Sequence, residues 1–173
     1  TAKMKNNIVL IGFMGVGKGT VARALVRELD IFSIDCDDLI ESFANRKISK
    51  IFADDGETKF REIEKKLANF LQNSVSGAII STGGGFYKVP NLKDIGVIIY
   101  LKSDFDSIIK RIKKSPNAKK KLAKRPLLKN LKKAKILHNQ RDAEYEKIAD
   151  FTVDVRKKSL QEIVEEIQNL IKE

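Results

Sequence analysis

A glycine-rich segment that carries one lysine is the strongest chemical signal in the sequence. It runs from Gly12 to Thr20 and directly follows the apolar run Ile8 to Ile11. Glycines allow successive backbone amides to point at one spot, Lys18 adds a full positive charge, and a following helix contributes the positive end of its dipole. These three positive sources predict a cradle for a polyphosphate, and therefore a protein that binds a nucleotide.

One position of this segment departs from the common pattern GxxxxGK[ST]. In that pattern the residue after the lysine carries a hydroxyl that contacts Mg²⁺, whereas here it is Gly19, and the hydroxyl follows at Thr20. The metal ligand therefore stays open at this point. A turn that only joins a strand to a helix is the alternative reading of the loop. An amphipathic helix after the lysine favours phosphate binding, and its apolar stripe is Val21, Leu25, Val26 and Leu29.

Carboxylates follow the second apolar run, Phe32 to Ile34. Residues two apart project to the same side of an extended segment, so Asp35 and Asp37 are expected to face the phosphate cradle. One would hold the water ligands of a metal, and the other would receive the proton of an acceptor hydroxyl. The alternative is that Asp37 or Asp38 only caps a helix over residues 39–45, and this role is expected for Asp38.

Three consecutive glycines follow the third apolar run. Ala78 to Ile80 leads through Ser81 and Thr82 into Gly83–Gly85, where no side chain separates the backbone from a ligand. Such a turn can present amides to an anion, and a flexible bend is the alternative. Ligands of parallel α/β sheets lie beyond the carboxyl ends of the strands, and this position favours anion binding.

An arginine and a glutamate stand three residues apart on a predicted helix that begins near Glu57. Arg61 and Glu64 are expected to lie side by side and to pair. An exposed ion pair contributes less than about 1 kcal/mol, whereas an arginine that binds an anion needs a partner to orient it. The sequence leaves both readings open. Phe52 and Phe60 are expected to be ordinary core residues.

Two further arginines lie in the C-terminal half. Arg125 precedes Pro126, which restricts the arginine to an extended backbone and so directs its side chain. Arg141 lies on the next helical stretch and could equally pair with Glu144 or Glu146. His138 is expected to be a surface residue of that helix, because no second ligand or nucleophile accompanies it.

Five strand-length apolar runs alternate with helical segments. This alternation predicts one α/β domain of three layers, with a five-stranded parallel sheet covered by helices on both faces. Ser159 and Glu162 form a capping box before the last helix. Residues 113–126 show no helical periodicity and are expected to form a flexible loop. The five runs are Ile8 to Ile11, Phe32 to Ile34, Ala78 to Ile80, Val97 to Leu101 and Phe151 to Val153.

Composition narrows the class of protein. The 173 residues, 42% of them hydrophobic, fit one domain, and no apolar run approaches the roughly 20 residues of a membrane span. The single cysteine agrees with a reducing compartment, and one Cys with one His argues against a zinc site. We therefore expect a soluble, cytoplasmic protein. Residues 1–3 precede Met4 and are expected to be a cloning remnant.

The net charge of +11 is concentrated in one segment. Residues 110–135 contain thirteen Lys or Arg and no Asp or Glu, and the rest of the chain is slightly acidic. Such a segment is either a nucleic-acid footprint or a mobile flap whose cations meet the phosphates of a nucleotide. The segment has no interleaved aromatic residues for stacking bases, and a phosphate cradle lies in the same small domain. Both observations favour the flap.

Taken together, these segments resemble the shikimate kinase family from Met4 onward. The resemblance rests on GFMGVGKGT, SIDCDDLIE, IFADDGETKFREIE, STGGGF, KRPLL and an arginine near residue 141. It implies a single P-loop kinase domain over residues 4–173 with a mobile lid at about 113–126. The implied reaction transfers the γ-phosphoryl group of ATP to the 3-hydroxyl of shikimate, on the route to chorismate and the aromatic amino acids. It also implies Mg²⁺. Independently of the resemblance, we expect a monomer that binds neither nucleic acid nor membrane.

The resemblance also implies roles for individual residues. Lys18 would bind the β- and γ-phosphates, Asp37 would orient or deprotonate the attacking hydroxyl, and Arg125 would be a lid arginine that neutralises charge during transfer. Asp35 would help to hold magnesium, partly through water, with Thr20 and Ser81 as further candidates. The implied ATP ligands are Gly15, Val16, Gly17, Lys18, Gly19, Thr20, Arg111, Arg125 and Arg156. The implied shikimate ligands are Asp37, Arg61, Gly83, Gly84, Gly85 and Arg141.

Other functions remain as alternatives. The GKGT form resembles adenylate kinase, so a nucleoside monophosphate kinase is one alternative and gluconate kinase is another. Neither accounts for Arg61, the triple glycine and Arg141 together. An RNA-binding module gated by a nucleotide is the alternative outside the enzymes, and it would use the basic segment directly.

Overall fold

Five parallel strands form the centre of the computed structural model, which describes residues 6–172. The order across the sheet is β2-β3-β1-β4-β5, and every neighbouring pair is parallel. The expected five-stranded α/β sheet is thus confirmed. The strands are β1 (Ile8–Ile11), β2 (Ser33–Asp35), β3 (Ile79–Ser81), β4 (Val97–Lys102) and β5 (Phe151–Asp154).

The burial of each strand follows its place in the sheet. β1 and β3 lie inside the sheet and are buried at every position, as expected for parallel strands covered on both faces. β2 is an edge strand and is largely exposed, and Phe32 just before it is 88% exposed. The central strands therefore supply much of the core, and their carboxyl ends are the rigid part of the site.

Seven α-helices flank the sheet in the described range, residues 6–172. α3 contains a sharp kink at Gly56, whose φ of +81° is outside helical space, so the segment expected from Glu57 begins just after this kink. Of the two expected core phenylalanines, Phe60 is buried, whereas Phe52 is 38% exposed and packs its ring on that of Phe60. The helices are α1 (Lys18–Leu29), α2 (Cys36–Ala44), α3 (Ile48–Ser74), α4 (Phe105–Lys114), α5 (Ala118–Ala123), α6 (Leu131–Ile148) and α7 (Leu160–Ile171).

The cap of α7 is the one predicted from the sequence, whereas the cap of α2 is a different residue. Ser159 and Glu162 form the expected capping box. At α2 the cap is Asp35, whose carboxylate accepts a hydrogen bond of 3.1 Å from the amide of Asp38. The expectation that Asp38 caps a helix over 39–45 is therefore wrong. An aspartate that ends a strand in extended conformation is already placed to cap the next turn, so the helix begins three residues earlier.

The segment expected to be an irregular loop over residues 113–126 contains a short helix. α4 continues to Lys114, and α5 occupies Ala118–Ala123 before a 3₁₀ turn over Pro126–Lys129. Alanine, lysine and leucine all favour helix, but six residues are too few for an apolar stripe to be recognised. The mobility of this lid remains a prediction.

Within residues 6–172, no helix combines the length and the hydropathy that a membrane span requires. The expected cloning remnant, residues 1–3, lies outside the described residues.

Candidate active site

The sheet order brings the candidate chemical groups to one edge. β1 is followed by the glycine-rich loop, β2 by the acidic pair and β3 by the triple glycine, and these three strands are neighbours. Asp35 lies opposite Ser81 in the register of β2 and β3. Because the strands are parallel, all three following segments leave the sheet at the same end.

The glycine-rich loop has the backbone that a phosphate cradle requires. Gly15 and Gly17 have φ of +83° and +112°, which only glycine adopts readily. A Cβ at Gly15 would lie 2.5 Å from Ile112, and one at Gly17 would lie 3.1 Å from the Arg111 guanidinium. A side chain at either position would both strain the loop and displace a neighbour.

Lys18 is the first residue of α1, and its side chain folds back over the loop. Its ammonium group donates to the carbonyls of Gly12 at 2.6 Å and Phe13 at 3.1 Å. Burial lowers the pKa of Lys18 to about 8, and the carboxylate of Asp37 opposes this shift. The ammonium group is therefore held inside the loop, where an incoming phosphate would restore its usual preference for the charged form.

Further guanidinium groups gather around the same loop. Arg111 donates to the carbonyl of Gly15 at 3.3 Å and to the hydroxyl of Thr20 at 3.2 Å, and Arg23 donates to the same hydroxyl at 3.4 Å. Two cations beside its oxygen make Thr20 a poor metal ligand and a good neighbour for a phosphate. Sequence reasoning missed Arg23, although its position four residues after Gly19 directs its side chain back towards the start of α1.

Arg125 lies in electrostatic range of both the glycine-rich loop and the acidic pair. It donates to the carbonyl of Lys121 at 3.0 Å. Burial and the charge of Arg111 lower the pKa of Arg125, whereas Asp37 raises it. The same arginine contributes to lowering the pKa of Lys18.

Asp37 lies in the first turn of α2, and not in an extended segment as the alternation argument assumed. Its carboxylate lies against the triple glycine, because a Cβ at Gly83 would be 2.9 Å from Asp37 Oδ1. Burial, reinforced by the charge of Asp35, raises the pKa of Asp37 to about 6, and Lys18 opposes the shift. A carboxylate with such a pKa is suited to accept a proton near neutral pH.

Two arginines approach the triple glycine from different helices. A Cβ at Gly85 would lie 2.5 Å from Arg61 Nη1, and one at Gly84 would lie 3.2 Å from Arg141 Nη1. The expected pair with Glu64 is present, since Arg61 donates to that buried carboxylate at 2.6 Å. The second reading, that the pair orients Arg61 towards an anion, is compatible with this geometry.

Arg141 does not form either of the ion pairs considered from the sequence. Glu144 accepts a hydrogen bond from Tyr87, and Glu146 is paired with Lys102. Arg141 is 7% exposed, and within residues 6–172 its buried Nε has no hydrogen-bond partner. A buried guanidinium with an unsatisfied nitrogen is suited to receive an anionic ligand.

His138 is buried, and the expectation of a surface position is wrong. It is 4% exposed, its Nε2 lies 2.9 Å from the carbonyl of Ser103, and its ring packs edge-on against Phe13 of the glycine-rich loop. The buried face of α6 carries the polar side chains His138, Arg141 and Tyr145. Because this face has no continuous apolar stripe, it cannot be recognised from hydrophobic periodicity. α6 therefore contacts the glycine-rich loop through His138 and the triple glycine through Arg141 and Tyr145.

A cavity of about 380 Å³ adjoins the glycine-rich loop on the side away from Asp37. Val16, Ser103, Arg111 and Arg156 are among its lining residues. Arg156 is exposed and forms an ion pair of 2.7 Å with Asp154. The cavity opens beside the loop, where the base of a bound nucleotide would extend from its phosphates.

Comparisons with known proteins agree on one family. A family model described as shikimate kinase matches residues 14–172. The curated shikimate kinase of Helicobacter hepaticus is 36% identical over 148 residues, 86% of each chain, and that of Lactococcus lactis subsp. lactis is 38% identical over 94% of this chain and 96% of its own. The solved shikimate kinase of Acinetobacter baumannii in complex with shikimate superimposes with a TM-score of 0.84 at 29% identity, over 98% of this chain and 94% of that chain.

Proposed function

The chain belongs to the shikimate kinase family, and we propose that it moves the γ-phosphoryl group of ATP to the 3-hydroxyl of shikimate at the carboxyl edge of its sheet. It is a small-molecule kinase that acts on shikimate with ATP as co-substrate. One observation carries the assignment of residues. Asp37 lies against Gly83 of the triple glycine and interacts electrostatically with Lys18 of the glycine-rich loop, so it is close to both sets of cations.

The nucleotide binds at the glycine-rich loop. Backbone amides of residues 15–20 face its phosphates, Lys18 contacts the β- and γ-phosphates, and the base enters the cavity beside the loop. Support comes from the positive φ of Gly15 and Gly17 and from the inward position of the ammonium group. Arg111, Arg125 and Arg156 complete the set of proposed ATP ligands.

Shikimate binds between the triple glycine and the two arginines. Arg61 and Arg141 bind its carboxylate, because guanidinium groups match the two carboxylate oxygens in a way that lysine does not. Backbone amides of Gly83–Gly85 contact the carboxylate or a ring hydroxyl. This proposal is supported by the buried, unpartnered Nε of Arg141 and by the closeness of both guanidinium groups to these glycines.

Transfer begins with the 3-hydroxyl beside the carboxylate of Asp37. The hydroxyl oxygen forms a bond to the γ-phosphorus, the bond from that phosphorus to the β,γ-bridging oxygen breaks, and ADP leaves. The hydroxyl proton passes to Asp37. Phosphoryl transfer goes through a loose transition state, so most of the acceleration comes from positioning and from the charges of Lys18 and Arg125. Closure of the lid over both substrates excludes water and limits hydrolysis of ATP.

Magnesium fits the oxygen donors at this edge. Asp35 and Ser81 lie opposite each other at the ends of β2 and β3, and Mg²⁺ is usually held by one or two carboxylates, by water and by substrate phosphates. Thr20 is the weaker candidate, because Arg23 and Arg111 surround its hydroxyl. When bound, the ion would neutralise charge on the phosphates of ATP.

Replacing Gly19 by Ser is expected to tighten metal binding. Gly19 has no positive φ, and a Cβ there would meet only the end of the Arg23 side chain at 3.3 Å, so a serine fits and supplies the missing hydroxyl. Electron paramagnetic resonance of Mn²⁺ with the protein and ADP should show about a fivefold lower Kd and one water ligand fewer. Gly19→Ala adds the same Cβ without the oxygen and serves as the control. Equal Mn²⁺ binding by both variants would contradict this view of Gly19.

We also propose that the chain works as a monomeric single domain over residues 4–173 in the cytoplasm, without a nucleic-acid or membrane partner. Residues 6–172 form a single sheet with its flanking helices, which supports one domain. The buried free thiol of Cys36 agrees with a reducing compartment.

A coupled assay of ADP release tests the proposed function. With ATP and Mg²⁺ present, we expect release to depend on shikimate and to remain at the background rate with AMP, gluconate or RNA. Release that depends on AMP or gluconate would assign the chain to another kinase activity. Release that no acceptor changes would refute the proposed reaction.

A further inference from the structure

Arg61 and Arg141 are held in contrasting ways. Arg61 donates to the carboxylate of Glu64 at 2.6 Å and to that of Glu57 at 3.4 Å, so two negative charges surround it. Arg141 is more buried, and in the described part of the chain no carboxylate lies within ion-pair distance of it. Of the two, Arg141 therefore offers the less compensated positive charge to an anionic ligand.

The sequence of α6 would predict a carboxylate paired with Arg141. Asp142, Glu144 and Glu146 all follow Arg141 within five residues, and Glu144 stands at the three-residue spacing at which helical side chains meet. Each of these carboxylates is bound elsewhere. Glu144 accepts from the Tyr87 hydroxyl, Asp142 accepts from the Tyr100 hydroxyl at 2.6 Å, and Glu146 is paired with Lys102.

The phenols that bind two of these carboxylates belong to one cluster. The chain has three tyrosines, and the ring of Tyr145 packs on Tyr87 at 4.7 Å and on Tyr100 at 4.9 Å between centroids. Tyr145 is fully buried, and its hydroxyl donates to the carbonyl of Gly84 at 2.6 Å. The cluster therefore has a fixed position relative to both the triple glycine and α6.

Tyr87 is the member of this cluster that meets both Arg141 and Glu144. The Arg141 guanidinium carbon is 6.0 Å from the centroid of the Tyr87 ring, while the hydroxyl of the same ring holds Glu144. Burial and the neighbouring Glu144 raise the pKa of Tyr87, so the phenol keeps the proton that it donates. Tyr87 thus contacts the Arg141 guanidinium group with its ring and holds the Glu144 carboxylate with its hydroxyl.

We propose that Tyr87 is a positioning residue that holds Glu144 away from Arg141 and so preserves the charge with which Arg141 binds the substrate carboxylate. The proposal rests on the proposed role of Arg141 in binding shikimate. If the Tyr87 hydroxyl were absent, Glu144 would be free to turn towards Arg141, which precedes it by three residues on α6. A charge-assisted pair between Glu144 and Arg141 would then compete with the carboxylate of shikimate.

Tyr87→Phe tests this proposal, because it keeps the ring and removes only the hydroxyl. Isothermal titration calorimetry should show about a tenfold higher Kd for shikimate, the size expected when a charged hydrogen-bond partner is lost to a competitor. The Kd for ADP should stay within about twofold of the unchanged protein, since the side-chain contacts described for Tyr87 are with Glu144, Arg141 and Tyr145 and not with the glycine-rich loop.

The double variant Tyr87→Phe/Glu144→Gln separates this mechanism from a general packing defect. Glutamine has no charge to compete for Arg141, so the double variant should regain a Kd for shikimate within about twofold of the unchanged protein. Glu144→Gln alone should bind normally. Tyr100→Phe is the matched control, because it releases Asp142, which is adjacent to Arg141 in sequence and therefore does not face it on the helix.

Two outcomes would overturn the proposal alone: a Tyr87→Phe variant that binds shikimate normally, or a double variant that binds as weakly as Tyr87→Phe. Arg141→Gln distinguishes these outcomes from the case in which Arg141 does not bind shikimate at all. If Arg141→Gln binds shikimate normally, the role of Arg141 is refuted and the inference about Tyr87 falls with it.

Discussion

Replacing Asp37 by Asn is expected to lower kcat by about 10³ while the Kd for ADP stays within about twofold. Asparagine keeps the shape of the side chain but cannot take the proton of the acceptor hydroxyl. Steady-state kinetics at saturating ATP and shikimate measure the loss. Asp38→Asn is the matched control, because Asp38 is exposed one residue further along α2 and should retain nearly full turnover. Near-normal turnover of Asp37→Asn would remove Asp37 from the mechanism.

The raised pKa of Asp37 also predicts how the rate depends on pH. Burial and Asp35 raise the pKa of Asp37 to about 6, and only the deprotonated form accepts a proton. Activity should therefore be complete above about pH 7 and should fall about tenfold per unit as the pH drops below 6. A profile of kcat/KM against pH should show this acid limb with an inflection near 6. The limb should be absent from the residual activity of Asp37→Asn, and its persistence there would assign it to another group.

Replacing Arg125 by Ala is expected to lower kcat by about 10³, a loss typical of an arginine that stabilises charge in phosphoryl transfer. Burial and the charge of Arg111 lower the pKa of Arg125, so before ATP arrives its guanidinium group is partly desolvated and crowded by a second cation. Phosphate charge that develops during transfer relieves this crowding, so the contribution of Arg125 appears in the transition state.

Lys124→Ala provides the control for Arg125, because Lys124 is an exposed cation of the same lid. Single-turnover measurements should show a large loss for Arg125→Ala and almost none for Lys124→Ala, and the Kd for shikimate should change in neither. Equal losses in the two variants would mean that the lid contributes only general positive charge. A loss confined to the KM for ATP would make Arg125 a ligand of the ground state alone.

Local signals in the sequence were sufficient for much of the fold. The apolar runs predicted all five strands to within a residue or two, because buried parallel strands need continuous apolar side chains. The capping box of α7 was recognised because both of its hydrogen bonds form within four residues. The phosphate loop was predictable for the same reason, since its glycines and Lys18 are contiguous.

Features that depend on contacts between distant segments were not predictable. Which aspartate caps α2 depends on where β2 ends, which the sequence does not define, and the structure has Asp35 as the cap instead of the predicted Asp38. His138 was placed on the surface because its partners, Phe13 and Ser103, are 125 and 35 residues away. The partners of Glu144 and Glu146 likewise lie on other elements. The sequence therefore does not show that neither carboxylate pairs with Arg141.

A crystal structure of the protein with ADP, Mg²⁺ and shikimate tests most directly whether the glycine-rich loop and Asp37 bring phosphate and hydroxyl together. We predict that the 3-hydroxyl will lie within about 3 Å of the Asp37 carboxylate, on the side that faces the β-phosphate of ADP. The shikimate carboxylate should contact both Arg61 and Arg141. A ligand whose 3-hydroxyl lies away from Asp37, or whose carboxylate contacts neither arginine, would contradict the account.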